Sequence, residues 1–449
     1  MTRPAFWLTF LAFTCANPGL LSANLFDAEE MNTPVMTLQS GEETLTLDTT
    51  LAIALRDNLG LISKEVQLQG KEASATASFR KMLPTVAVSS SRTDILRNTT
   101  LYGSKAETFN TSLTLTQPIY RGGALVSGWQ SADAQREQAQ LDLVHTARTL
   151  IKDVKAAWYS LLEKNQLLKE AEAAMDRLHQ HEKNAQAFFR EGRIWRNEIL
   201  QAGVKVAQGE QNLIGARNQV ELARAELNRL MRRPLDHPLD AQGALTWIPL
   251  EWTLENAYAH AQTHRTDLKK ARLDIQVGKL NEVSTASTTL PSVNFTGTYA
   301  VATPEMNYHE NDATLTAVLT MNWTAWNWGQ TSQEVAAAKA ATYKSQLTYD
   351  DQIQSVLLET RKAFLTAKES ALRVEVLKKS LNQSEENYRV NQIRYQEQLG
   401  SATDVLDAMD LLTSTRNNHT SALAAYLTAM AALDLAIGKG AEEMETKQP

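Results

Sequence analysis

Three carboxylates, Asp404, Asp407 and Asp410, recur at a spacing of three. On a helix that spacing turns them broadly to one side, with progressive angular drift. A row of this kind does electrostatic rather than covalent chemistry. Repeated about a symmetry axis it makes stacked carboxylate rings, which select for cations and narrow a pore. The same residues have a local use. Ser401 and Asp404 form an S-x-x-D capping box, which places an acid at the third helical position anyway, and the helix dipole favours acids there. Other chemistry-bearing residues are sparse. His260 and His264 sit at i, i+4 and could hold a metal, but no third ligand lies near them in the sequence, and solvated helix residues are the simpler reading. His179 and His181, at i, i+2, do not face together. No P-loop, dinucleotide fingerprint or nucleophile motif is present. The chain reads as a non-enzyme, with no catalytic residue, cofactor or metal centre.

The acids belong to the second copy of a duplicated module. Leu47, Ala52, Ala54, Leu61, Leu83, Pro84 and Val86 recur 207 positions later as Leu254, Ala259, Ala261, Leu268, Leu290, Pro291 and Val293. Beyond that the offset is 206: Tyr120 and Gly123 match Trp326 and Gly329, Trp158 matches Phe364, Glu198 matches Asp404 and Leu227 matches Leu433. The one-residue slip falls between the two halves of a predicted hairpin. A unit this long is not a solenoid repeat. Each copy reads as medium helix, strand pair, very long helix, medium helix. In copy one these run from about Asp48 to Arg80, Pro84 to Tyr120, Ala124 to Phe189 and Ile194 to Leu230. In copy two they run from about Thr253 to Ala286, Pro291 to Trp326, Gln330 to Gln396 and Ala402 to Ile437.

Composition narrows the class. With 19 Gly and 11 Pro in 449 residues, helix is favoured. A net charge of −6 and the lack of a basic, aromatic-interleaved patch argue against nucleic acid. Arg3 and the apolar run Ala5 to Ala16 read as a secretory signal, with cleavage after Ala23 or Ala16. The only cysteine, Cys15, lies inside it. Phe13 and Thr14 before Cys15 do not fit a lipoprotein site, so the exported chain is expected to be cysteine-free. No later segment reads as apolar enough for a transmembrane helix, so membrane insertion must use strands.

Two periods then set the architecture. Leu141, Val144, Ala147, Ile151, Val154, Trp158, Leu161, Asn165 and Leu168 step mostly by three and four, as do Leu357, Thr360, Phe364, Ala367, Ala371 and Val374. A helix of about 66 residues is roughly 100 Å long, and two medium helices end to end match it. The strands alternate instead. Val293, Phe295, Gly297, Tyr299 and Val301 interleave with Ser292, Asn294, Thr296, Thr298 and Ala300. Segments of about ten residues, apolar outward and polar inward, are the signature of a transmembrane β-barrel; the soluble alternative is a hairpin half-buried on the helices. Four strands cannot close a barrel, since about eight is the minimum, and open edges are not tolerated in lipid. Three chains would supply twelve strands and twelve helical rods: a tube capped by a barrel, hence a conduit.

The sequence resembles the TolC-like outer-membrane efflux proteins across essentially its whole mature length. The tandem repeat carries the resemblance, with Leu83-Pro84 before the first strand and the strand-to-helix turn Gln117-Pro118-Ile119-Tyr120-Arg121-Gly122-Gly123. Tyr395 followed by Asp404-Val405-Leu406-Asp407-Ala408 resembles the family's periplasmic tip. The resemblance implies a mainly α chain with a membrane β-barrel segment, a coiled-coil helical barrel and four transmembrane strands. It implies a homotrimer with a 12-stranded barrel in the outer membrane of a Gram-negative-type cell and the helical part in the periplasm. The function implied is the passive exit duct of a tripartite efflux or type I secretion system. Its partners would be a periplasmic adaptor (membrane fusion) protein, a proton-driven or ATP-driven inner-membrane exporter and outer-membrane lipid. The alternative is a structural or adhesive coiled-coil envelope protein. The tube lining does not name the cargo.

The domain reading is a signal peptide at 1–23, an extended segment at 24–46, a first efflux repeat at 47–230 with its hairpin at 84–120, and an equatorial linker at 231–252. A second repeat at 253–438, with its hairpin at 291–326, precedes a short tail at 439–449. Asp404 and Asp407 are the implied gate constriction, with Glu198 equivalent in copy one. Phe189, Gly192, Tyr395 and Gly400 mark the periplasmic tip and the adaptor docking surface. Gly400 stands where the family's tip often carries an arginine, with Arg394 or Arg193 as the alternative candidates to replace it. Crowded carboxylates would repel, which raises some of their pKa values. At the corners, Pro118, Tyr120, Gly122 and Gly123 face the copy-two set Trp323, Trp326, Trp328 and Gly329. Copy two lacks the proline and the first glycine, which puts its local geometry in doubt. Its three tryptophans read as an interfacial aromatic belt or as packing between barrel and tube.

Overall fold

The computed structural model describes residues 43–95, 106–303, 313–397 and 399–440. The expected leader with Cys15, most of the extended segment and nearly all of the tail lie outside them. Cα proximity divides the chain into two units. The smaller is described only at Glu43 and Pro238–Asp240, in the short strands β1 (Glu43–Leu45) and β4 (Leu239–Ala241). The larger unit holds the remaining described elements.

In the larger unit, β2 (Thr85–Ile95), β3 (Ala106–Arg121), β5 (Ser292–Thr303) and β6 (Ala313–Asn322) form one antiparallel sheet in the order β2-β3-β5-β6. Val88 faces Leu113, Leu113 faces Tyr299 and Tyr299 faces Leu315, so cross-strand neighbours build one apolar face. The other face carries Ser89, Ser112, Thr114, Thr298 and Thr316, with the Ser89 and Ser112 hydroxyls 2.8 Å apart. The apolar face is bare: Val88 is 65% and Leu315 78% exposed. A hairpin packed on the helices would have buried them. Val86 pairs with Leu115 as Val293 pairs with Met321. The two offsets therefore meet between Ile95 and Ala106, which places the slip in the hairpin connection, outside the described residues.

The helices repeat with the same offsets. They are α1 (Leu47–Asp57), α2 (Leu59–Arg80), α3 (Ala124–Arg190) and α4 (Arg196–Leu230), then α5 (Leu254–His264), α6 (Thr266–Ala286), α7 (Gln330–Gln396) and α8 (Ala402–Ile437). Both long helices have 67 residues, about 100 Å at 1.5 Å per residue. α3 is the hub. Lys71 Nζ on α2 donates to Gln135, and Lys270 Nζ on α6 donates to Asp142, both on its first half. On its second half, Arg177 donates to Thr413 and Arg416 to Glu170, both tying it to α8, while Gly209 of α4 lies against Leu178 and Met175. α7 flanks α6 and α8: Arg272 donates to Tyr349, and Arg416 to Glu385. Ala147, Ile151, Val154, Trp158 and Leu161 are buried, as the spacing predicts.

Two expectations fail. Each medium helix preceding a hairpin is expected unbroken, but it breaks at Asn58 and Arg265, where ψ is 124° and 125°. These are equivalent positions, and each makes a long-range bond. Asn58 Nδ2 donates to Leu230 C=O at 3.0 Å, and Arg265 Nη1 to Ala436 C=O at 3.2 Å. Each break ties one helix to a carbonyl in the last turn of its copy's last helix; Ala436 C=O also accepts from the Thr360 hydroxyl at 3.3 Å. The second correction concerns α8. It is apolar and long enough to cross a membrane, with mean hydropathy 1.5 over 18 residues, although no such helix is expected. Its apolar residues serve the helix bundle instead: Tyr426, Leu427, Leu433 and Ile437 are buried against neighbouring helices and the 245–252 segment.

Candidate functional site: helix tips and strand-to-helix corners

The α7–α8 turn is closed by a complete capping box. Asp404 N–H donates to Ser401 Oγ at 3.2 Å, and Ser401 N–H to Asp404 Oδ2 at 3.1 Å. These bonds, with the Arg394 charge, hold the Asp404 carboxyl below its ordinary value. Within one chain that is opposite to the rise expected from crowding. Asp407 and Asp410 are exposed on the same helix. Glu198 occupies the matching third position of α4, but its N-cap is Trp195, which has no side-chain acceptor to offer. Copy one therefore leaves its tip acid out of a capping box.

Asp410, singled out only as the third acid of its row, has a partner the sequence did not reveal. Lys205 Nζ on α4 donates to its Oδ2 at 2.6 Å, bridging α4 and α8. The arginines proposed as substitutes act locally. Arg394 Nη2 donates to Leu399 C=O at 3.3 Å, and Arg193 pairs with Glu191 at 2.9 Å.

The aromatic positions divide. Tyr395 is buried against Phe188 and His181, with ring centroids 5.7 and 5.2 Å away, and packs on Val405, Leu406 and Met409. It belongs to the tip's core rather than to an exposed docking surface. Phe189, its counterpart, is exposed. Gly192 takes φ +71°, the left-handed turn after a helix for which glycine is suited. Gly400 is not left-handed; a Cβ there would lie 3.3 Å from Arg394 Cβ. Beside Tyr395 is a cavity of about 240 Å³ lined by Arg177, His181, Tyr388 and Met409. His181 is 4% exposed and its Nε2 has no partner; burial lowers its pKa. His179 points elsewhere, toward Glu182 at 4.0 Å. His260 and His264 stack at 4.0 Å, and His260 Nδ1 donates to Ile437 C=O at 2.8 Å. Among the described residues no three ligating side chains cluster.

At the corners the geometry is preserved despite the changed sequence. Gly122 and Gly123 have φ +60° and +89°; Trp328 and Gly329 have +57° and +81°. Trp328 thus adopts left-handed backbone, which costs a non-glycine residue about 1–2 kcal/mol. A β-bulge at Ile119, between Pro118 and Tyr120, turns β3 toward its helix. Gln117 Nε2 donates to Met82 C=O at 2.9 Å, and at the matching place Trp323 Nε1 donates to Thr289 C=O at 3.0 Å. The Trp323 indole therefore pins the corner, as packing residues do. Trp326 and Trp328 meet edge to face at 5.9 Å and are exposed.

Long helices continuous with a sheet that bares an apolar face fit a chain whose strands enter a membrane. The chain belongs to the outer membrane efflux protein family, whose profile matches residues 51–231 and 257–439. A search of curated protein sequences finds no match. Among solved structures, the chain resembles the VceC outer membrane protein of Vibrio cholerae (TM-score 0.78, 15% identity, 88% of this chain and 96% of that one). It also resembles the CmeC outer membrane channel of Campylobacter jejuni (0.79, 15%, 89% and 88%) and the open state of the Neisseria gonorrhoeae MtrE channel (0.78, 18%, 88% and 89%). The protein is an outer-membrane efflux duct, with its helical portion in the periplasm, and not an enzyme.

Proposed function

We propose that the duct is a homotrimer and the passive conduit of a tripartite efflux or type I secretion system. One observation carries this. Among the described strands the sheet ends at two edges, β2 and β6, beneath a bare apolar face. Lipid does not tolerate open edges, and head-to-tail joining of β6 to the β2 of another copy closes a ring. Three copies give twelve strands. The helices offer matching flanks: Val204 and Leu222 on α4, and Leu365 and Val376 on α7, are exposed. Energy then comes from partners, a periplasmic adaptor and a proton-driven or ATP-driven inner-membrane exporter.

In this reading residues 1–23 direct export, and the repeats 47–230 and 253–438 are joined by an equatorial linker at 231–252. Asp404 and Asp407, with Glu198, ring the periplasmic constriction. Phe189, Gly192 and Gly400 present the tip to the adaptor, over a core built on Tyr395. The corners, Pro118, Tyr120, Gly122 and Gly123 with Trp323, Trp326, Trp328 and Gly329, seat the barrel at the periplasmic face of the outer membrane, with Trp326 in an aromatic belt and Trp323 packed at the corner. The test is single-channel recording of Asp404→Ala plus Asp407→Ala. Cation selectivity falls if the acids form the constriction; unchanged selectivity removes that assignment.

A further inference from the structure

Among the described residues, only the copy-one corner meets the turn before the other copy's hairpin. The copy-one corner lies against the α6–β5 turn: a Cβ at Gly122 would meet Ser287 O at 2.7 Å and Leu290 Cβ at 3.1 Å. By the repeat, Trp328 needs the copy-one α2–β2 turn, Arg80 to Leu83, in the same place. That turn is built alike. Leu83 N–H donates to Arg80 C=O at 3.0 Å, as Leu290 N–H does to Ser287 C=O at 3.0 Å. Within one chain the two halves cannot meet. They sit at opposite edges of a four-stranded sheet, about three spacings of 4.8 Å apart.

The same division runs up the helices. Gln138 donates to Asp274 at 2.7 Å and Lys270 to Asp142 at 2.8 Å, joining α3 to α6. Shifted by the repeat, these pairs become Lys344 with Gln67 and Thr348 with Ser63, on α7 and α2. Each retains a donor and an acceptor.

We propose that the Trp328 indole fills the seam between adjacent copies, wedged against Leu83 and Arg80 of the next one. This rests on the homotrimer reading. Trp328 is 89% exposed and Leu83 46% exposed in the single chain, so both faces are free to meet. The left-handed backbone at Trp328 would be relaxed by the glycine that copy one has; a bulky side chain is kept there instead. At Gly122 the backbones touch and leave no room for a Cβ. At Trp328 the matching turns must stand apart by the thickness of an indole. The seam between copies is therefore wider at the barrel base than the seam within one, and Trp328 sets its width.

The experiment uses the full chain with Cys15→Ser, purified in detergent. Leu83→Cys with Trp328→Cys, whose Cβ atoms the wedged indole holds too far apart for a disulfide, is joined by a short bis-maleimide and run on a denaturing gel. The expected result is covalent dimers and trimers, absent from either single variant. Gln67→Cys with Lys344→Cys, joined by the same reagent, probes the same seam away from the strained corner. Monomers alone from both pairs, with a trimeric native mass, overturn the seam while leaving the duct reading intact. A monomeric native mass of the unsubstituted protein overturns both.

Discussion

Lys205→Ala should loosen the periplasmic end. The Lys205–Asp410 bridge, at 2.6 Å, is the tip ion pair that joins α4 to α8. Its side chains are 32% and 58% exposed, so solvent screens it, and such a pair is worth about 0.2–1 kcal/mol. In the proposed trimer, three such pairs together contribute about 0.6–3 kcal/mol to the arrangement in which α4 and α8 are bridged. Taking that arrangement as the closed one, at about 1.4 kcal/mol per tenfold the closed-to-open ratio falls about 3- to 140-fold. The assay is single-channel recording in planar bilayers, scoring open time and conductance. Raising salt from about 0.1 to 1 M shortens the screening length from about 10 to 3 Å, so the unsubstituted channel should move part of the way toward the variant. The swap Lys205→Asp with Asp410→Lys restores the pair and should restore closure. If Lys205→Ala leaves open time unchanged, or the swap behaves like either single substitution, the bridge does not restrain the tip.

Four further outcomes follow from the packing. Arg265→Ala removes a 9%-exposed guanidinium bonded to Asp267 and Glu359 at 2.7 Å and should lower stability by about 3 kcal/mol, the low end for a broken buried pair because Glu359 is half-exposed; thermal denaturation of the purified protein measures it. Burial pushes the Asp267 carboxyl up, but its bonds to Arg265 outweigh that and hold it low. Its stabilisation is therefore present above the unfolded value, about 3.9, and is lost as pH falls through the folded one; an acid melt should show this loss, and Arg265→Ala should flatten it. Burial lowers the His181 pKa, so the unfolded chain takes up its proton first, below about 6.5. Stability should fall from there until pH passes the folded value, and His181→Phe should remove that slope from midpoints measured between pH 7.5 and 5. Trp323→Phe loses the bond to Thr289 C=O and should cost about 1 kcal/mol, whereas Trp323→Gln, the copy-one residue, should retain most of it; the melting midpoints of the two variants decide.

Much of the fold was legible because the chain states it twice. Helix and strand boundaries recur with the offsets read from Leu47/Leu254 and Trp158/Phe364, and alternation in 293–301 identified the sheet's two faces. The break at Arg265 was not legible, because its partner carbonyl is 171 residues away; at Asn58 the side chain reaches as far, but it also caps the following helix by accepting from Gly60 and Leu61 N–H, a local signal that the helical reading passed over. At the candidate site, the Ser401–Asp404 box follows from local spacing and was read. The Lys205–Asp410 bridge joins separate hairpins and left no local signature. Tyr395 looked like a surface aromatic because nothing in its neighbourhood names His181 and Phe188 as its cover. The Trp328 corner was doubted for want of a glycine, yet its backbone takes the glycine conformation.

The central claim, a duct closed by copies of one chain, is tested most directly by native mass spectrometry of the protein extracted from outer membranes. Three chains per particle are predicted, which makes twelve strands from the β2-β3-β5-β6 sheet. A single chain, or a pair with its eight strands, would contradict it.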